Sequence, residues 1–298
     1  MNFPNKKPKW ILPDNFSANS GKVYTFISPI GAGGNADVYE CIDNNGNACA
    51  VKILKWDVAQ PKQRFEQAKR RFEQEVSLMK QVKHEFLVSY FDDGIITGHP
   101  IDRRFPSCEF PFVIMDKAEE NLFSYLEKCQ WKVDYAIYAP QFRGLSAALG
   151  KLHEKAIHRD IKPSNILIKD ELWLLSDFGL CTMADGSERI DVTLTNEKIG
   201  PKFCPSPESI NQSYSGTSAS IDASSDVYQL CAVFWLVLTG WYPLGQIKSD
   251  DYDNNEKNRL LFEKLLLALS HDKRKRPQNG SELFDIMYQV TIEQGLNP

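Results

Sequence analysis

The chain has no cysteine pair in CxxC spacing, no apolar run long enough to span a bilayer and no excess of positive charge. Its seven cysteines (Cys41, Cys49, Cys108, Cys129, Cys181, Cys204 and Cys231) are odd in number and scattered. That argues against a disulfide framework or a zinc site and for a reducing, cytoplasmic setting. The most apolar stretch, Leu230 to Leu238, covers nine residues, whereas a spanning helix needs about 20. It reads as a buried helix. The N-terminal MNFPNKKPKWILPDNF carries lysines with no apolar core behind them, so it is not a secretory leader, and no lipidation pattern is present. A formal net charge of −4 disfavours a nucleic-acid binder, which usually presents a basic face. Internal repeats and low-complexity blocks are also missing.

What is present changes character near the middle of the chain. Residues 1–21, rich in Pro, Asn and Lys, read as an extended arm. From Tyr24 to Ile53 come short β-rich runs, broken by Gly31-Ala32-Gly33-Gly34 and by Asn44-Asn45-Gly46-Asn47. Phe65, Ala68, Phe72, Val76 and Met79 recur at helical spacing and predict a helix over about Lys62 to Lys83. Lys69, Arg70 and Arg71 beside that stripe read as a solvated face, with phosphate contact as the alternative. Val88 to Phe91 and Phe112 to Met115 fit two more strands. Beyond Asp116 the periodicity is helical. The expectation is an α+β protein of two parts, a small antiparallel sheet with one main helix and a larger, mostly helical part, with a cleft where they join. The boundaries expected are 22–290 for the domain (sheet-rich 22–115, junction 116–120, helical 121–290) and 291–298 for a short tail. No further sensor or scaffold domain is expected.

Two polar clusters stand out. His158 to Asn165 reads HRDIKPSN, and Asp177-Phe178-Gly179 begins twelve residues after Asn165. One short loop thus supplies a carboxylate, an ammonium and an amide, and a second supplies another carboxylate beside a glycine. Phosphoryl transfer needs a group that orients the attacking hydroxyl and oxygen ligands for Mg²⁺. These segments resemble the catalytic and metal loops of the eukaryotic-like protein kinase superfamily, and the resemblance runs from about Tyr24 to Ile286.

That resemblance implies a bilobal kinase-like fold and a role for each matching residue. Asp160 would be the base, Lys162 would reach the γ-phosphate, and Asn165 and Asp177 would hold Mg²⁺, with Mn²⁺ as a substitute. Lys52, in Ala50-Val51-Lys52, would contact the α- and β-phosphates with Glu75 as its ion-pair partner. Glu73 is the competitor, and the two cannot share a helix face. GAGGNADVY matches the glycine-rich phosphate loop, with Ala36 where a third glycine is usual; a plain hairpin turn is the alternative. Ile30, Gly31, Gly33, Gly34, Val38, Ala50, Met115, Asp116, Ala118 and Leu167 complete the expected ATP site, the purine edge meeting backbone atoms of Asp116 and Ala118. His158 and Phe178 would stack beneath Met79, Asp226 would hold the catalytic loop, and Glu208 would pair with Arg276.

Lys162 within DIKPSN resembles the Ser/Thr-directed subgroup, so the expected partner is a protein with a Ser or Thr acceptor. Two departures bear on activity. Pro201 stands where a threonine usually meets the catalytic Asp and Lys. Arg159 belongs to a loop type often ordered by a phosphate, and Glu197 could imitate one, with Thr193 or Thr195 as the alternative switch. Cys181 reads as an incidental thiol. The rival to an active kinase is a pseudokinase scaffold, favoured only by Pro201 and Ala36.

Overall fold

The computed structural model describes residues 2–3, 10–55, 62–102, 106–184, 204–215, 220–245 and 256–293. The chain divides into two compact units, Met1–Gln81 with Val88–Ala118, and Val82–Leu87 with Glu119–Pro298.

Among the described residues the first unit is an eight-stranded antiparallel sheet with one helix. Its strands are β1 (Asn2–Phe3), β2 (Trp10–Ile11), β3 (Asn15–Ser17), β4 (Val23–Ala32), β5 (Ala36–Asp43), β6 (Ala48–Leu54), β7 (Tyr90–Pro100) and β8 (Cys108–Met115), in the order β1-β2-β7-β8-β6-β5-β4-β3. The β5–β6 turn forms because the Asp43 carboxylate accepts the N–H groups of Asn45 and Asn47, each at 2.9 Å, while Gly46 takes φ +82°. Successive side chains on a strand alternate faces. Tyr39 and Cys41 of β5 and Val51 and Ile53 of β6 therefore share an apolar core with Phe110, Phe112 and Ile114 of β8. Helix α1 (Lys62–Gln81) buries Phe72, Val76 and Met79 of the predicted stripe, while Phe65 and Ala68 nearer its start are half-buried.

Two expectations need correction. Residues 10–18 are not an arm outside the domain: Trp10, Leu12 and Phe16 are buried in the sheet core, and Trp10 packs edge-on against Phe110 at 5.2 Å. Alternation of Trp10 and Leu12 puts both on the core side, and an indole this size outweighs the polar composition around it. Secondly, β7 runs to Pro100 instead of ending near Phe91. A Cβ built on Gly94 or Gly98 would come within 3 Å of the Phe112 or Phe110 ring respectively, so packing demands glycine at both.

The second unit carries β9 (Glu120–Asn121), α2 (Leu122–Lys128), α3 (Tyr135–His153), β10 (Ala156–Ile157), β11 (Ile166–Lys169), β12 (Leu172–Leu175), β13 (Thr182–Met183), α4 (Pro207–Ser215), α5 (Ala223–Thr239), α6 (Glu256–Ala268) and α7 (Gly280–Glu293). α5 is capped by Asp222 and Ser225 at its start and by Gly240, φ +73°, at its end. It is apolar on every side and buried accordingly, with Phe234 stacked on Phe142 of α3 at 3.8 Å. Among its buried polar side chains are Asp226 and Gln229, and the site depends on them. Among the described residues no helix is long and apolar enough to cross a membrane.

Candidate active site

In the first unit the face of the sheet opposite the core gathers the predicted nucleotide residues. Val38 is the register partner of Lys52, and Ala50 that of Met115. Lys52 Nζ lies 2.6 Å from Glu75 Oε1, and Glu75 is only 4 % exposed. The competitor Glu73 has a side chain 58 % exposed and sits 4.0 Å from Lys69, on another side of α1. Asp116 is buried, and its carboxylate accepts Ser89 N–H at 2.7 Å. Its side chain thus has a structural task. Ala118 is half-buried.

Ile30 and Gly31 lie in the last three residues of β4, and Gly33 and Gly34 form the exposed turn that follows. None of the three glycines has positive φ. A Cβ at Gly34 would meet no atom within 4 Å. Neither backbone conformation nor packing in this unit therefore calls for glycine at position 34, whereas close approach of a ligand to the backbone would.

In the second unit the loop from His158 to Asn165 is suspended from α5. Asp226 accepts the N–H groups of His158 at 2.6 Å and Arg159 at 2.8 Å, and contacts His153 Nε2 at 3.0 Å. Gln229, one turn further along, accepts Ile161 N–H at 2.8 Å and donates to the Arg159 carbonyl at 3.3 Å. These bonds hold Arg159 at φ +71°, a left-handed conformation that costs a bulky residue about 1–2 kcal/mol. Gln229 was not foreseen. Its signal was available: a glutamine three residues after Asp226 inside an apolar run, hence on the same helix face.

The loop so held brings Asp160, Lys162 and Asn165 together. Asp160 is 6 % exposed; its Oδ2 accepts from Lys162 Nζ at 2.6 Å and Asn165 Nδ2 at 3.0 Å. Asn165 Nδ2 also donates to the Asp160 carbonyl at 2.9 Å, so its amide oxygen faces away from that pair. His158 Nε2 meets the Ser176 carbonyl at 3.1 Å, and its ring lies edge-on to Phe178 at 5.6 Å. Next to them Asp177 is exposed and has φ +63°. Leu167, on β11, is half-buried.

Around this loop, Glu208 and Arg276 form a buried bidentate pair at 2.8 and 3.1 Å. Burial pushes the Glu208 carboxyl up, but the Arg276 and Ser225 hydrogen bonds and the Arg276 charge outweigh it and hold it below its usual range. The thiol of Cys204 is pushed up to about 12 by burial and then by the Asp160 charge, so it stays protonated and is no nucleophile. Thr193, Thr195, Glu197 and Pro201 lie outside the described residues.

No group of three or more His, Cys, Asp or Glu among the described residues could hold a metal ion alone. Mg²⁺ arriving with phosphates needs less, one or two protein oxygens with the rest from phosphate and water. By their chemistry the Asn165 amide and the Asp177 carboxylate would supply oxygens of that kind.

Residues 24–294 match the protein kinase domain family, and the chain belongs to it. Among similar proteins are a probable serine/threonine-protein kinase of Clostridium acetobutylicum (25 % identical, covering 90 % of this chain and 40 % of that one) and a serine/threonine-protein kinase of Myxococcus xanthus (25 %, covering 89 % and 32 %). A proline-rich receptor-like protein kinase of Arabidopsis thaliana is 30 % identical over 74 % of this chain and 40 % of its own. The chain therefore spans two fifths or less of the length of these relatives.

Proposed function

We propose that this chain transfers the γ-phosphoryl group of ATP to serine or threonine hydroxyls of a protein substrate, in a reducing compartment such as the cytoplasm. The observation that carries the proposal is the Asp160–Lys162–Asn165 cluster, held by a buried carboxylate and a buried amide of α5. A loop fixed at this many points needs no reorganisation when a substrate arrives, and phosphoryl transfer is catalysed mainly by positioning and electrostatics.

In this reading the Asp160 carboxylate orients the acceptor hydroxyl and receives its proton. Lys162, already at its side, offsets negative charge on the transferred group. The Lys52 ammonium, held by Glu75, takes the α- and β-phosphates, and the turn at Gly33 and Gly34 lets backbone N–H groups approach them. Asn165 and Asp177 would hold Mg²⁺, which supplies charge neutralisation on the phosphate oxygens. The purine falls to backbone atoms of Asp116 and Ala118, with Ile30, Val38, Ala50, Met115 and Leu167 as apolar contacts. Support for serine and threonine comes from Lys162 and from the names of the bacterial relatives.

The test is phosphoryl transfer from radiolabelled ATP with Mg²⁺ to the protein itself or to a generic basic protein. Wild type is expected to label it, on serine or threonine, and Asp160→Asn is expected not to. Equal labelling by both would remove Asp160 from its role. No labelling by a folded wild type that still binds ATP would favour a scaffold instead.

A further inference from the structure

Lys55, just past the end of β6, is a residue to which neither the family resemblance nor the reading above assigns a part. Among the described residues its contacts go to the glycine-rich turn and its base. Its backbone N–H donates to the Asn35 carbonyl at 2.8 Å, and its ammonium donates to the Gly33 carbonyl at 2.8 Å. The same ammonium lies 2.5 Å from Asp37 Oδ1. Asp37 is 2 % exposed, and apart from that ion pair neither of its oxygens has a hydrogen-bond partner. The turn is closed on itself by Gly33 N–H to the Ala36 carbonyl at 2.8 Å.

Strand alternation says which side this grip comes from. Asp37 shares a face of β5 with Tyr39 and Cys41, which belong to the core. Val38 and Lys52, register partners, occupy the opposite face with Ala50. Lys55 and Asp37 thus hold the turn from behind and leave the Val38–Lys52 face clear. A buried carboxylate with only one of its oxygens engaged is costly for stability alone, since the ion pair offsets its desolvation poorly without further hydrogen bonds. The arrangement makes sense if a fixed turn is what matters. It also suits a turn carrying Ala36, whose Cβ narrows the conformations the backbone can visit.

We propose that Lys55 and Asp37 are positioning residues that clamp the turn at Gly33 to Ala36 in the shape that receives nucleotide phosphates. The proposal rests on reading that turn as the phosphate cradle. Loss of the clamp leaves purine contacts intact and weakens phosphate contacts, because the backbone N–H groups are no longer held in one arrangement.

The experiment titrates the full chain, with Mg²⁺, against ADP and against adenosine by calorimetry, for wild type, Lys55→Met, Lys55→Arg and Asp37→Asn, with a thermal melt of each. In Lys55→Met the ADP affinity is expected to fall about tenfold, the factor one charge-assisted hydrogen bond carries, while adenosine affinity changes less than about twofold. Lys55→Arg keeps a cation in reach of both acceptors and is expected to restore the ADP-to-adenosine ratio. A merely structural role would lower the melting temperature and leave that ratio unchanged. Should Lys55→Met not fold, Asp37→Asn carries the comparison, with a smaller fall in the same direction. An unchanged ratio in whichever of these folds, beside a wild type that prefers ADP, overturns the clamp alone. A folded wild type that binds adenosine but gains nothing from the phosphates overturns the cradle reading and the clamp with it.

Discussion

Arg276→Met should destabilise the second unit by an amount that depends on pH in a direction opposite to ordinary acid unfolding. Arg276 is 3 % exposed and bidentate to Glu208, and it also donates to the carbonyls of Ser270, Ser224 and His271. Removing it strands a buried carboxylate, which costs about 3–5 kcal/mol. At ~2–4 °C per kcal/mol for a domain of this class, the melting temperature should fall by roughly 6–20 °C at neutral pH. In the wild type the Glu208 pKa is depressed. Its contribution is therefore present above the unfolded value, about 4.3, and lost as pH falls through the folded value. Without Arg276 the upward push of burial dominates, and the folded pKa moves above the unfolded one. The penalty is then full at neutral pH and fades as protonation neutralises the carboxyl. Melts followed by circular dichroism from about pH 7 to about pH 5 should show the gap between wild type and variant narrowing. Glu208→Gln added to Arg276→Met should recover at least about half of the loss, because no charge is left buried. A constant gap across that range, or a variant melting within about 2 °C of wild type at neutral pH, would refute the reasoning.

Two further outcomes are expected. Gln229→Leu removes the partner of Ile161 N–H and frees the Arg159 carbonyl, at a cost of about 1–3 kcal/mol; its labelling rate should fall more than its ATP affinity, and an unchanged rate in single-turnover measurements would sink the role given to α5. Gly34→Ala adds a Cβ that meets nothing and needs no positive φ, so stability should stay or rise by about 0.4–1 kcal/mol, while ATP affinity drops. Unaltered ATP binding in that variant would remove the phosphate cradle.

The fold class was legible because two signals agree: the hydrophobic period changes after Asp116, and the polar motifs fall on the side of that change where they belong. α1 was readable from Phe72, Val76 and Met79 alone. What escaped did so for physical reasons. Trp10 and Leu12 sit among prolines, lysines and asparagines, and a local reading weighs composition over the burial of one indole. The length of β7 escaped because Gly94 and Gly98 carry no side chain to mark the alternation, their places being filled by the rings of Phe112 and Phe110. Lys52 and Lys55 look alike in the sequence, three residues apart on the same strand and its exit. Only an odd spacing sends one to the nucleotide face and the other behind the turn. The choice between Glu75 and Glu73 was open on spacing alone and is decided by which side of α1 meets Lys52.

The front of the chain has one more implication. Family matching starts at Tyr24, yet Trp10, Leu12 and Phe16 fill the interior of the sheet, and β2 pairs with the far end of β7. A piece that folds on its own is therefore expected to begin upstream of that boundary. Trimmed to that boundary, the protein would bare both a greasy hollow and an unpaired strand margin, the combination that drives β-rich proteins to stick to one another.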